Sequence, residues 1–158
     1  MTRHDIIFDI NYSHYMEKMF CTITSRIDKL ISVVLMMLGF AVFAPYSGNF
    51  IFGAFIAALS AIQFIYQFGK QSGMAQEQSK KYLELMTEAA KYDDAELLKQ
   101  LNELQKNDCP VWSIFDSAAH KKATIKLGLD DTSSPLNFFE KSFAFFAGGL
   151  PKEQKGTQ

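Results

Sequence analysis

Ser60, Gln63 and Gln67 are polar side chains set in a stretch, Leu30–Phe68, whose 39 residues include no Asp, Glu, Lys, Arg or His. With Gly53 and Ala57 they recur every three or four residues. Gly53, Ser60 and Gln67 are seven apart, and Ala61 extends the small side. Uncharged groups at this spacing can do two things in an apolar surrounding. Small residues let helix backbones approach closely while amides and hydroxyls hydrogen-bond between helices. Alternatively, the same groups line a polar path, which without charges would select only weakly between ions. In the first half of the stretch only Ser32 and Gly39 could join them. Both roles fit the pattern.

Nothing else in the chain has the spacing of a reactive centre. The two cysteines, Cys21 and Cys109, and the three histidines, His4, His14 and His120, include no pair with metal-ligand spacing. There is no phosphate-cradling glycine loop. Ser117 and His120 stand three apart on a helix with no obvious acid partner. The carboxylates of "YDDAE" (Tyr92–Glu96) are explained by helix capping. The sequence therefore predicts no enzyme, no cofactor and no metal. A formal net charge of -1 gives no electrostatic footprint for nucleic acid.

The elements that carry the polar side chains are set by charge segregation. All 16 basic and 17 acidic residues lie outside Leu30–Phe68. A bilayer core of about 30 Å needs roughly 20 apolar helical residues. Leu30–Tyr46 supplies 17 and Phe50–Phe68 supplies 19, separated by the turn residues of "PYSGN" (Pro45–Asn49). A helical hairpin inside a soluble bundle would show a polar stripe on each helix, and the first segment has none. The sequence thus predicts a transmembrane hairpin over residues 30–68. Arg26 and Lys29 precede it, Lys70, Lys80 and Lys81 follow it, and its turn carries no charge. Both termini are therefore expected in the cytoplasm. A cleaved signal peptide is not expected, because charged residues fill the chain before the apolar run.

The remainder reads as helix. Tyr12, Tyr15, Met16, Met19, Phe20, Ile23, Ile27 and Leu30 mark one face of an amphipathic segment within residues 1–29, with nothing to break it before the first span. It could enter the membrane directly or lie along it. Gly73–Tyr92 is built from helix formers. Asp93 with Glu96 predicts a capped start near Ala95. Leu97, Leu98, Leu101 and Leu104 then line one side of Ala95–Lys106 and offer a seam for self-association. A further helix is expected from Val111 to Leu127, closed by Gly128. Residues 69–129 form a cytosolic helical domain in this reading, and 130–158 hold a linker, a last helix and a tail. The fold class is all-α: a two-helix membrane hairpin, an amphipathic N-terminal helix and a cytosolic helical domain.

The last helix candidate, Pro135–Leu150, is expected to start with Ser134 as cap. It contains Phe138, Phe139, Phe143, Phe145 and Phe146. These cover too much circumference for a strict amphipath. Packing on the cytosolic domain, an interfacial position among lipid headgroups and an oligomer contact all remain open.

This layout resembles the SLATT-domain family, bacterial two-helix membrane proteins of defence systems. The resemblance covers roughly residues 12–129: the amphipathic lead helix, the close pair of spans, the long helical extension and the late "CPVWSIFDSAAHKK" (Cys109–Lys122). It rests on pattern, and the Phe-rich extension past Pro135 falls outside it. The resemblance implies an effector of the bacterial inner membrane that assembles as a homo-oligomer and permeabilises or depolarises that membrane during phage infection, with a cytosolic sensor or regulatory protein as partner. Two other classes fit the same sequence. A holin-like lysis protein shares the topology but usually has a shorter tail. A membrane-anchored adaptor or immunity protein would use the hairpin only as an anchor.

Overall fold

The structure, a computed structural model, describes residues 1–42, 49–130 and 133–151, leaving aside the side chains of 42 and 49. The turn expected at Pro45–Asn49 and the tail after Pro151 lie outside these residues, apart from the backbone of Asn49, which opens α2. The described chain is helical, with no strand: α1 Arg3–Val42, α2 Asn49–Tyr66, α3 Phe68–Glu88, α4 Asp94–Gln105, α5 Asp116–Lys126 and α6 Phe138–Phe146. Single 3-10 turns at Ala89–Lys91 and Ser113–Phe115 precede α4 and α5.

α1 is one helix of 40 residues, about 60 Å long at 1.5 Å per residue. It begins well before Tyr12, where the apolar periodicity starts. The missed signal is a reciprocal cap: the Thr2 amide donates to Asp5 Oδ2 (2.8 Å) and the Asp5 amide to Thr2 Oγ1 (3.3 Å). The lead helix and the first apolar segment form one helix, running unbroken through Leu30.

α2 and α3 return alongside α1 in the opposite direction, and a series of contacts fixes the register. Gln63 meets Ser32 and Asp28. Ser72 Oγ donates to the Cys21 carbonyl (3.0 Å), and His14 Nδ1 lies 2.8 Å from the Ser79 carbonyl. Arg3 closes the far end on the carbonyls of Ala89 and Tyr92 and on Asp94, 2.7 Å away. Between α2 and α3 stands Gln67, whose φ of 47° lies in the left-handed region that L-residues other than Gly seldom enter. The break takes one residue. The Gln71 amide donates to the Gln67 carbonyl (3.1 Å), and the Gln71 side chain donates to the carbonyl of Tyr66 (2.7 Å).

Two core clusters lie along this pair. Near the outer end, Ile6, Ile10, Tyr82 and Leu85 bury Leu97 and Leu101 of α4. The leucine seam that the sequence offered for self-association is therefore used inside the chain, covered by α1 and α3. Closer to the apolar end, Met16, Met19, Phe20 and Ile23 pack with Phe115, Ala118 and Ala119. The helix expected over Val111–Leu127 is shorter, because Trp112 is extended and a 3-10 turn over Ser113–Phe115 precedes the α-helix. Gly128 closes it with φ 68° as predicted. Asp93 caps α4 by accepting from the Glu96 amide at 2.8 Å.

Candidate functional site

The charged three quarters of the chain have a packed core, while the charge-free part does not. Leu30, Val33, Met36, Met37 and Phe40 of α1 are exposed, as are Phe50, Ile51, Phe55, Phe64 and Ile65 of α2; Phe50 is 88 % exposed. The α2–α3 rod passes for a membrane span by length and composition, and its most apolar stretch is wholly unburied. Half-buried positions recur at three and four on both helices: Ile31, Val34, Leu35 and Leu38 on α1, Phe52, Ile56, Leu59 and Gln63 on α2. These are the faces the two helices turn toward each other.

This pairing divides the five polar and small positions singled out above. Gln63 faces α1. Its amide Nε2 lies 3.2 Å from Ser32 Oγ and 3.4 Å from Asp28 Oδ1. Gly53, Ala57 and Ser60 are exposed on another side of α2. A Cβ added at Gly53 would meet nothing within 4 Å. Gln67 is exposed and sits at the helix break. Gln63 and Gln67, four residues apart, would share a face of a continuous helix; the left-handed turn at Gln67 separates them. Ser32 joins Gln63, as the sequence allowed, and a Cβ at Gly39 would also meet open space.

The five phenylalanines divide as well. Phe143 turns inward against the core beside buried Ala144 and Ala147. Phe138, Phe139, Phe145 and Phe146 are exposed at 79, 70, 64 and 57 %. At about 100° per residue these four fall within an arc of about 120°, so the helix is amphipathic once Phe143 is set apart. Its cap is Asn137, not Ser134, because Glu140 reaches back to accept the Asn137 amide at 2.7 Å. Its end is pinned to α1. Arg26 donates to the Phe146 carbonyl. Gly148 turns the chain at φ 66°, and a Cβ on Gly149 would stand 2.6 Å from the Met19 sulfur.

A polar cleft of about 530 Å³ opens between α1, α5 and the start of α6, lined by Tyr12, Asp116, Ser117, His120, Asn137 and Glu140 among others. Tyr12 Oη donates to Asp116 Oδ1 (3.3 Å), and burial with the Asp116 charge pushes the phenol up to about 12. Ser117 Oγ donates to Glu140 Oε1 (2.8 Å), not to His120, whose ring stands edge-on to Phe8 at 5.1 Å. The cleft thus holds a serine and a histidine without the hydrogen bond that would activate a nucleophile. Among the described residues no group of three or more His, Cys, Asp or Glu could hold a metal ion.

One residue went unread in the sequence. Glu17 is 2 % exposed. Its Oε1 accepts the Cys109 amide at 2.8 Å, and its Oε2 is buried with no partner. Burial pushes its carboxyl up to about 7, with Asp108 adding to the shift. Burial and the Glu17 charge raise the Cys109 thiol to about 12. The signal was present: an acid beside Met16 and one turn before Phe20, on the apolar side of α1. No protein-family model matches this chain, and no curated protein or solved structure matches it.

Proposed function

We propose that the chain is a two-span protein of the bacterial inner membrane, with both termini in the cytoplasm, whose copies assemble and permeabilise or depolarise that membrane. The observation that carries this reading is the coincidence of two boundaries. Among the described residues of Leu30–Phe68, which lack charge, only Phe68 is buried and the large apolar side chains stand mostly exposed, while the charged remainder packs around two cores and exposes a cluster of large apolar side chains only on α6. In water such a surface would be costly, at about 25 cal/mol per Å² of apolar area. In hydrocarbon it is the expected surface. Assembly is supported by the open Gly53, Ala57 and Ser60 side of α2, since small residues permit close helix approach. The effector role, with a cytosolic sensor as trigger, follows from the resemblance to SLATT-domain proteins.

A second reading has one observation in its favour. Gln63 finds its partners within the hairpin, which suits a self-contained anchor for an adaptor or immunity protein. Expression in bacterial cells with a potential-sensitive dye separates the two. Depolarisation that scales with the level of membrane-inserted protein is expected. Normal potential and growth at high membrane levels, with the activating partner present, would leave the anchor.

A further inference from the structure

We propose that the exposed face of α6 is the contact through which a second copy of this chain pairs with the first, below the membrane. The inference rests on the membrane reading above, and it starts from the direction of α6. The start of the helix lies by Ser117 and the cleft that Tyr12 lines. Its end lies by Thr22, Met19 and Arg26. It therefore climbs along α1 toward Leu30. An interfacial helix lies in the plane of the bilayer with one apolar face in the headgroups. α6 instead follows the helix that enters the bilayer, so its face points sideways. Arg26 stands about 6 Å, four residues, below Leu30, so at most Phe145 and Phe146 come near the headgroups. Phe138 and Phe139, at the lower end of a helix about 13 Å long, are left in the cytosol.

The size of the face fits a second copy. The exposed fractions of the four rings amount to on the order of 500 Å² of apolar surface per chain. Two such faces together reach about 1,000 Å², the smallest interface expected of a specific complex. Copies in one membrane stand upright in the same sense. A twofold axis along the membrane normal therefore brings two α6 helices together in parallel, each phenylalanine opposite its own counterpart. Confinement to a plane raises the effective concentration of copies, so a contact of minimal size suffices.

The test uses the full chain reconstituted in lipid vesicles, with single cysteines at Phe138, Phe145 or Glu103, the last on the outer side of α4. Oxidative crosslinking should give same-residue dimers at Phe138 and Phe145 but not at Glu103. Replacing Phe138, Phe139, Phe145 and Phe146 by Ser should abolish crosslinking of a cysteine at Ser142 and leave helix content unchanged, since none of the four rings is buried. Protein that floats with the vesicles yet forms no α6 crosslink, or a four-Ser variant that still pairs through Ser142→Cys, overturns the α6 contact and leaves the membrane reading in place. Crosslinking by protein that does not float keeps the contact and overturns the membrane reading. A spin label at Phe138 that oxygen reaches and a water-soluble nickel complex does not would assign the face to lipid instead.

Discussion

Glu17 gives the chain a pH dependence of definite sign. Its folded carboxyl titrates at about 7, against 4.5 when solvated. Between those values the folded state holds the extra proton, so stability falls as pH rises through the window and levels off above it. The expected loss is on the order of 3 kcal/mol. His14 acts in the opposite direction. Burial depresses its pKa below 6.5, so acidification below that point favours the unfolded chain. Comparing Glu17→Gln with wild type isolates the first effect. Thermal melts in detergent should show the variant gaining on wild type as pH rises from 5 to 8; equal differences at both ends would mean that Glu17 does not titrate there. At Gln63, replacement by Leu removes bonds to Ser32 and Asp28 and should cost only about 0.6 kcal/mol for each bond. Gln67→Gly should stabilise by about 1 kcal/mol, because the φ of 47° is free for Gly; a loss of stability in melts would mean that the side chain has a partner. The polar residues on α2 were legible as chemistry but not as a unit. Spacing assigns faces only while a helix continues, and no feature of "YQFG" (Tyr66–Gly69) announces the left-handed turn.

At the scale of elements, capping chemistry was the most legible signal. Asp93 with Glu96 and the closing Gly128 act in the structure as their types predict. What periodicity does not reveal is the neighbour that covers an apolar face. The leucines of α4 could have met another copy, and they meet α1 and α3. The phenylalanines of α6 looked circumferential because Phe143, which packs inward, was counted with the four that do not. The seat of α6 depends on Gly149, where backbone passes against buried Met19. Gly149→Ala should displace Met19 and cost about 1–3 kcal/mol, detectable as a lower Tm and faster amide exchange in α6. Gly53→Leu is the contrasting case. Its side chain meets open space within the chain, so the fold should be unaffected, and a drop in oligomer size on lipid-compatible gels would report a contact between copies. An unchanged assembly would clear that side of α2 of any role in it.

For the whole molecule, the charge boundary was legible, because the charge-free stretch is where both long helices leave the two cores. Its topology can be checked with an impermeant thiol reagent. Cys109 is buried and would stay silent on either side, so an exposed position such as Lys106 is the proper internal control. Ser47→Cys should react in intact spheroplasts and Lys106→Cys only after permeabilisation; the reverse pattern would invert the protein. The unbroken α1 has a mechanical consequence. Asp28 lies against Gly69 closely enough that a Cβ there would stand 3.3 Å from Oδ2, which makes this contact a fulcrum. From it α1 extends 25 residues down to Arg3 and 14 up to Val42, arms of about 38 and 21 Å. The return strand of the lever has a knee at Gln67, so α2 need not follow. A partner that shifts the Arg3 end, together with the helices packed on it, sideways by a few ångströms would swing the upper end of α1 by about half as much in the opposite direction, opening an angle to α2 without melting a single turn.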